Sequence, residues 1–388
     1  MAVGRVHRIV WAIALLMALI PIAPASARAL EPVSAPDVTA QAAYVYDATA
    51  NVELLSLNSD VARAPASTVK IVTAMVVLDN VDTTDQQVTV DAEDVTDPTS
   101  GESSMFLNAG DVVTVDQLLL GLMLPSGNDA ARTLARFVGG KLLDGANGDP
   151  IERFVQAMND KVAAAGLSHT HFLSPDGYSD SDDMYTTAYD LAHLGALALS
   201  YDKIVEVVSQ STADVTSVGP EVHQMSLINT NKFLPGSGDA AYATDGVIGL
   251  KSGSTEKAGA CLVLAKRERG GNLVIAVVMG SDLQYDDNSN VTVDDRWDDM
   301  KAVLGSVESG FAWLNPESTN DVPGLKDEMA AWQVKLHDDS GLVIPMGEKR
   351  NLSYRLELKP AGPAKADAGR VLFFAGSDQI AERELVFQ

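Results

Sequence analysis

Three short motifs contain side chains that could carry out nucleophilic chemistry. The first is S-x-x-K, Ser67 to Lys70, at the start of a strongly apolar stretch that predicts a helix over residues 68–78. Residues three apart share a helix face, so the Lys70 amine lies beside the Ser67 hydroxyl, and a buried amine near other cations can serve as its base. An isolated S-x-x-K is more often a helix cap followed by a solvated lysine. The copies at Ser200 and Ser254 do not open such an apolar helix.

The second and third motifs add groups that could handle a substrate. Ser126-Gly127-Asn128 lies between two predicted helices, where a hydroxyl can relay protons and an amide can orient a substrate and the lysine. Lys251-Ser252-Gly253 is the only K-[ST]-G sequence in the chain. A cation and a hydroxyl on an edge strand suit a substrate carboxylate, and a glycine lets the ligand's backbone lie close. Serine β-lactamases and penicillin-binding proteins share these three motifs in this order.

Hydrophobic periodicity predicts the elements that must position these motifs. Strands are predicted over residues 42–46, 52–57, 249–252, 260–266, 273–279, 334–336, 351–358, 371–374 and 384–387. Helices are predicted over residues 68–78, 115–123, 129–138, 151–165, 186–199 and 298–314. A linker near Pro316 then divides a mixed α/β region, residues 28–315, from a small all-β domain, residues 316–388.

Composition excludes several classes of protein. The chain has 388 residues and a formal net charge of −25, and this acidity argues against binding to nucleic acid. Cys261 is the only cysteine, so an intrachain disulfide and a cysteine-based zinc site are both excluded. His169 and His171 lack the remaining ligands of a zinc site, so no metal site is predicted.

The first 27 residues have the pattern of a cleavable export signal. Arg5 and Arg8 precede an apolar run over residues 9–23, and small residues in the A-x-A form end at Ala27. We therefore expect cleavage after Ala27 and a periplasmic or extracellular mature protein. Without the two arginines the formal charge falls from −25 to −27. No second apolar stretch approaches the roughly 20 residues of a membrane span, so a soluble product without a membrane anchor is expected.

Longer blocks around the motifs resemble one enzyme family. They are APASTVKIVTAM (64–75), SSMFLNAGDVVTVDQLLLGLMLPSGNDAA (103–131), FVQAMNDKVAAAGLSHTHFLSPDGY (154–178) and TDGVIGLKSGSTEKAGACLVLA (244–265). Together with the tail GRVLFFAGSDQIAERELVF, they resemble the low-molecular-mass penicillin-binding proteins, a family of serine-type D-alanyl-D-alanine carboxypeptidases. The resemblance runs from about residue 40 to the C-terminus. It implies a β-lactamase/transpeptidase-like domain, with an antiparallel sheet flanked by helices, and a small C-terminal β domain.

The resemblance also implies roles for the matched residues. Ser67 would be the acylated nucleophile, Lys70 its general base, and Ser126 the group that passes a proton to the leaving D-alanine. The implied substrate contacts are Asn128, Lys251, Ser252, Gly253, Ser254 and Arg296, with the backbone N–H groups of Ser67 and Ser254 as the oxyanion hole. The implied partners are a peptidoglycan stem peptide ending in D-Ala-D-Ala and, as covalent inhibitors, β-lactams. No cofactor is implied.

Other functions with the same motifs remain open at this point. A D,D-endopeptidase would use the same chemistry on cross-linked strands. A class A β-lactamase needs an E-x-x-L-N loop for fast deacylation, and none of Glu152, Glu206 and Glu221 begins one. A catalytically silent cell-wall binding protein would not require an activated nucleophile. The family more often has threonine at the position of Ser252, which affects fine specificity only, because serine keeps the hydroxyl.

Overall fold

The computed structural model describes residues 30–219, 222–286, 288, 290–338 and 341–388. The predicted export signal over residues 1–27 lies outside the described residues. The strands are β1 Ala42–Asp47, β2 Val52–Leu57, β3 Gln87–Thr89, β4 Val112–Thr114, β5 Thr212–Thr216, β6 Gln224–Ile228, β7 Val247–Thr255, β8 Gly259–Arg267, β9 Leu273–Ser281, β10 Leu283–Tyr285, β11 Val291–Asp294, β12 Phe311–Leu314, β13 Val334–Leu336, β14 Leu342–Pro345, β15 Leu352–Leu358, β16 Asp367–Ala375 and β17 Asp378–Phe387. The helices are α1 Lys70–Asp79, α2 Val115–Met123, α3 Asn128–Leu143, α4 Pro150–Ala164, α5 Ala188–Ala198, α6 Asp202–Val208, α7 Arg296–Gly310 and α8 Leu325–Ala331.

A five-stranded antiparallel sheet in the order β2-β1-β9-β8-β7 forms the centre of the larger region. Successive residues of a strand point to opposite faces, and β9 uses this alternation fully. Ile275 and Val277 pack with α1 to α5 on one face, whereas Ala276 and Val278 pack against α7 on the other. Because both faces are covered, the strand is apolar from Leu273 to Met279. The predicted antiparallel sheet flanked by helices is confirmed, and β7, which carries the third motif, lies at its edge.

The second motif is positioned by the boundary between two helices. Thr114 begins α2 with a capping box, in which its hydroxyl accepts from the Gln117 N–H and the Gln117 side chain accepts from the Thr114 N–H. Such a box satisfies two of the free N–H groups of a helix start. The helix ends at Met123, and α3 begins at Asn128. Ser126 and Gly127 therefore lie in a short connection whose ends are both fixed by helices.

The C-terminal region is built around a four-stranded sheet in the order β13-β17-β16-β15. It has a hydrophobic cluster of its own, which includes Val371, Phe373 and Leu385. The buried side of α8 packs in the same cluster. The prediction of a single helix over residues 298–314 is wrong at its end. The helix stops at Gly310, and residues 311–314 form β12, which pairs with β14. The apolar run Phe-Ala-Trp-Leu is buried at every position, which suits a strand between two packed layers.

Candidate active site

Ser67 lies in a 3-10 turn, Ala66–Val69, which runs directly into α1. The turn packs between β7 and the loop at residues 175–178. A Cβ on Gly253 would lie 2.8 Å from the Ser67 nitrogen, and a Cβ on Gly177 would lie 2.1 Å from the Ala66 carbonyl oxygen. Both glycines are therefore required for the backbone to approach this closely. The neighbouring chain segments hold the hydroxyl of Ser67 in place at the start of the helix.

Lys70 is fully buried beside the Ser67 hydroxyl. Its Nζ lies 2.9 Å from Ser67 Oγ, 2.7 Å from Asn128 Oδ1 and 2.8 Å from the carbonyl oxygen of Asp176. Burial lowers the pKa of Lys70 to about 8, although the nearby carboxylates of Asp176 and Asp129 act in the opposite direction. A large fraction of this amine is therefore neutral under mildly alkaline conditions.

These contacts match the hydrogen-bonding capacity of a neutral amine. A neutral lysine has two N–H donors and one lone pair. Asn128 Oδ1 and the Asp176 carbonyl can only accept, so they take the two N–H groups and leave the lone pair for the proton of Ser67. After it takes up that proton, the ammonium has three N–H groups and the same three neighbours. Lys70 can thus gain and lose a proton without moving.

Ser126 lines the cleft, and Asn128 is buried next to it. Ser126 has a left-handed backbone, with φ of 68°, and its buried Oγ has no hydrogen-bond partner within the described residues. A buried hydroxyl without a partner is costly, so this one is suited to a bound molecule. The Asn128 side chain joins two groups, because its Oδ1 meets Lys70 and its Nδ2 donates to Glu102 at 2.9 Å.

Lys251, on the edge strand β7, is a second fully buried lysine. Its Nζ donates to the carbonyl of Ser252 at 2.9 Å. Burial lowers the pKa of Lys251 well below its usual value, and the charges of Lys70 and Arg296 add to this effect. The Ser252 hydroxyl lies 2.7 Å from the hydroxyl of Thr230. This wall of the cleft therefore combines the Lys251 amine, the Arg296 guanidinium and two hydroxyl groups, which suits a small anion.

Arg296 is the first residue of α7 and is held by the sheet. Its Nη1 donates to the carbonyls of Gly253 at 2.9 Å and Cys261 at 3.3 Å, and its Nε donates to Asp294 at 2.6 Å. The guanidinium therefore contacts both β7 and the end of β11. It faces the cleft at the same end as Ser252.

The structure brings the nine predicted site residues together around one cleft of about 200 Å³. The lining residues are Ser67, Ser103, Ser126, Thr230, Ser252, Gly253, Ser254, Asp294, Arg296 and Trp297. Lys70, Asn128 and Lys251 are buried next to it. Lys70 contacts Ser67 and Asn128, and Lys251 contacts Ser252. Their proximity comes from the fold, because the three motifs are separated by more than 50 residues along the chain.

Four other groups at this site were not predicted from the sequence. Thr230, Asp176, Glu102 and Asp294 each contact a predicted site residue. The only sequence signal for Asp176 is that it belongs to the turn sequence Ser-Pro-Asp-Gly. The other three residues belong to no motif. No group of three or more metal-ligating side chains occurs among the residues that the structure describes.

The peptidase family S11, described as D-alanyl-D-alanine carboxypeptidase, matches residues 30–283, which is more than half of the chain. The chain belongs to this family. This membership confirms the family that the three motifs and their surrounding blocks indicated.

Individual relatives agree with this assignment. The D-alanyl-D-alanine carboxypeptidase DacF of Bacillus subtilis is 31% identical over 243 residues, which cover 62% of this chain and 57% of the relative. The D-alanyl-D-alanine carboxypeptidase of Streptomyces sp. K15 is 34% identical over 254 residues, which cover 64% of this chain and 83% of the relative. This chain therefore matches little more than half of the length of the first relative.

Solved structures share the fold. The Streptomyces K15 protein, described there as a DD-transpeptidase, superposes with a TM-score of 0.61 at 30% identity, over 71% of this chain and 99% of that one. The D-alanyl-D-alanine carboxypeptidase DacD of Francisella tularensis is 21% identical, with a TM-score of 0.63, and covers 92% of this chain and 95% of its own. The second likeness shows that the fold is shared beyond the family match, into the C-terminal region.

None of the helices in the described part of the chain has both the length and the apolar character that crossing a lipid bilayer requires.

Proposed function

We propose that this protein is an exported serine D,D-carboxypeptidase that removes the terminal D-alanine from peptidoglycan pentapeptide stems. The observation that carries the proposal is the contact of 2.9 Å between Ser67 Oγ and a buried amine whose pKa is lowered to about 8. Membership of the D-alanyl-D-alanine carboxypeptidase family supports the same reaction. Together they support the proposal that Ser67 is an activated nucleophile and that it attacks peptides of this class.

Acylation begins with Ser67. Its proton passes to the lone pair of Lys70, and the oxygen attacks the carbonyl carbon of the penultimate D-alanine. Negative charge then develops on the carbonyl oxygen. The backbone N–H groups of Ser67 and Ser254 stabilise this oxyanion, supported by the position of Ser67 at the start of a helix and by the close approach of β7 at Gly253.

The leaving D-alanine needs a proton on its nitrogen when the peptide bond breaks. Ser126 supplies it and recovers one from the Lys70 ammonium, and its unpartnered hydroxyl in the cleft supports this role. Asn128 holds the amide of the bound peptide. Water then attacks the Ser67 ester and gives one proton back through Lys70 to Ser67. The products are free D-alanine and a stem shortened by one residue.

The terminal carboxylate of the peptide binds at the wall formed by β7. Lys251, Ser252 and Arg296 supply an amine, a hydroxyl and a guanidinium there, and Gly253 leaves room for the peptide backbone. Thr230 adds a second hydroxyl next to Ser252. Bound carboxylate favours the charged form of Lys251, because it offsets the loss of water that lowers the pKa of this lysine.

The same acyl-enzyme permits an alternative outcome. The Streptomyces K15 relative is described both as a carboxypeptidase and as a transpeptidase. The two reactions differ only in whether water or an amine attacks the Ser67 ester. A D,D-endopeptidase would share every step and differ in the size of the leaving group.

Export is proposed from the sequence of residues 1–27. Mature protein should begin near Arg28 and be recovered as soluble exported material. N-terminal sequencing of the secreted or periplasmic fraction measures this directly. Recovery in membranes that resist washing with salt would contradict it.

The test of the proposed function uses the purified mature protein and two substrates. With a pentapeptide that ends in D-Ala-D-Ala, we expect release of free D-alanine. With penicillin, we expect an adduct on Ser67 that persists long enough for intact-protein mass spectrometry, and Ser67→Ala abolishes it. Rapid turnover of penicillin with little adduct would indicate a β-lactamase. No adduct and no D-alanine would indicate a silent binding protein.

A further inference from the structure

A carboxylate–guanidinium cluster lies directly behind Asn128, on the side away from Ser67. Arg132, one turn along α3, forms ion pairs with Glu102 and, from its Nε at 3.0 Å, with Asp176. The side chains of Glu102 and Asp176 are only 12% and 7% exposed, so water screens these charges weakly. The cluster therefore joins α3 to the loops at residues 100–104 and 174–178, both of which reach the active site.

Glu102 determines which end of the Asn128 amide faces Lys70. An amide can turn by 180°, which exchanges its oxygen for its NH₂ group. If the NH₂ group faced Lys70, it would donate to the lone pair that Ser67 needs. An ionised carboxylate can only accept, so Glu102 fixes Nδ2 on its own side, at 2.9 Å, and Oδ1 at 2.7 Å from Lys70.

Asp176 supplies the other acceptor through its backbone. Its carbonyl oxygen accepts from Lys70 at 2.8 Å, whereas its carboxylate accepts from Arg132 at 3.0 Å and from Ser174 Oγ at 2.8 Å. Arg132 thus stabilises both neighbours that take up N–H groups of Lys70, one through Glu102 and Asn128 and the other through the loop of Asp176.

We propose that Glu102 and Arg132 are positioning residues for the general base, which fix the two acceptors around Lys70 and so reserve its lone pair for Ser67. The inference rests on the proposed function, because it requires that Ser67 is the group that is acylated. Neither residue belongs to the three motifs, and neither is needed to touch the substrate.

The two charges also act on Lys70 in opposite directions. The charged groups that face Lys70 come from α3, the two loops and β7, and they are Asp129, Arg132, Glu102, Asp176 and Lys251. The charge of Glu102 raises the pKa of Lys70, and the charge of Arg132 lowers it. Loss of Glu102 should therefore move the pH at which Lys70 becomes neutral downwards, and loss of Arg132 should move it upwards.

The experiment measures the rate of penicillin acylation of the full mature protein, per labelled site, between pH 6 and 10. Glu102→Gln and Arg132→Gln should each reduce the rate on the alkaline plateau by about tenfold or more. In Glu102→Gln the new side chain can turn an NH₂ group towards Asn128 and no longer fixes its amide, and Arg132→Gln removes both ion pairs of the cluster. The acidic limb of the rate profile should shift to lower pH in Glu102→Gln and to higher pH in Arg132→Gln. In the double variant the limb should return towards its original position, while the rate stays low.

Arg136→Gln is the matched control. Arg136 lies one turn further along α3 and pairs with Asp94 at 2.9 Å, but it contacts neither Asn128 nor Asp176 among the described contacts. This variant should keep the rate and the profile of the unaltered protein. A wholly structural role for Glu102 and Arg132 would change the yield or the melting temperature and leave the rate per labelled site and the acidic limb of both variants unchanged. That result would overturn the inference. Absence of label in the unaltered protein would instead overturn the proposed function, and the inference with it.

Discussion

A groove on the C-terminal sheet and the cleft beside Ser67 are both lined with charged groups, but they expose those charges to water very differently. The groove encloses about 760 Å³ and the cleft about 200 Å³. In the groove, the side chains of Lys359 and Arg370 are 58% and 44% exposed, and each is paired with a carboxylate. Beside the cleft, Lys70 and Lys251 are 0% and 1% exposed.

This difference shows that the size of a cavity does not identify the chemistry in it. Exposed ion pairs are screened by water and salt and contribute little to stability. A buried lysine loses its hydration, so the fold must compensate by packing elsewhere, and its pKa falls. Strongly perturbed groups that meet in one cleft therefore indicate function, whereas paired and solvated groups indicate an ordinary surface.

The contrast between the buried lysines of the cleft and the exposed cations of the groove is tested most strongly at Lys70. Lys70→Ala should reduce acylation of Ser67 by penicillin by about 10²–10⁴-fold, because a positioned general base contributes a factor of this size. Intact-protein mass spectrometry over time measures the rate. Lys359→Ala, which removes an exposed lysine of the groove, is the control and should leave the rate unchanged. Similar losses of rate in both variants would mean that the buried amine of Lys70 has no specific role in acylation.

The spacing within the motifs could be predicted from the sequence, because it depends on local structure. Ser67 and Lys70 are three residues apart in a helical segment, and this alone places their side chains together. The central strands and most helices were also recognisable from apolar periodicity, as in β9, where alternate residues serve opposite faces.

The surroundings of Lys70 could not be predicted in this way. Asp176 follows Lys70 by 106 residues and Glu102 precedes Asn128 by 26, and neither contact leaves a periodic signal. The contact between Thr230, in the loop after β6, and Ser252 on β7 leaves no such signal either. The end of α7 was missed because the residues of β12 are as apolar as those of a buried helix, and only pairing with β14 distinguishes the two.

A second test concerns the carboxylate wall. Lys251→Ala should lower kcat/KM for the pentapeptide by about ten- to hundredfold, since a charge-assisted hydrogen bond is worth roughly 1.5–3 kcal/mol. Ser252→Thr should be mild, because threonine keeps the hydroxyl that lies 2.7 Å from Thr230. Release of D-alanine measures both. Unchanged kinetics in Lys251→Ala would show that the terminal carboxylate binds elsewhere.

A third test uses pH in place of substitution. With a pKa of about 8, Lys70 is mostly protonated and has no free lone pair below that value. Acylation at saturating penicillin should therefore rise by about tenfold between pH 7 and pH 9 and then level off. Saturation keeps Lys251 paired with a carboxylate, so the rise reports on Lys70. A flat profile over this interval would contradict the assignment of Lys70 as the base.

The smallest effect is expected in the groove. Arg370 on β16 pairs with Glu357 at 2.9 Å and with Glu382 at 3.3 Å, in contact with water. Arg370→Gln should change neither the midpoint of urea unfolding nor the rate of Ser67 acylation beyond experimental error, since screened pairs hold little free energy.

The control for this prediction lies on the same strand. Phe373 is fully buried in the C-terminal cluster, and Phe373→Ala should lower the free energy of unfolding by about 3–5 kcal/mol. If Arg370→Gln lowered the midpoint as much as Phe373→Ala, exposure would be a poor guide to the value of a charge in this protein. If Arg370→Gln instead slowed acylation without loss of stability, the groove would be coupled to the cleft. The contrast between the two cavities would then fail, because the C-terminal sheet would influence the reactivity of Ser67.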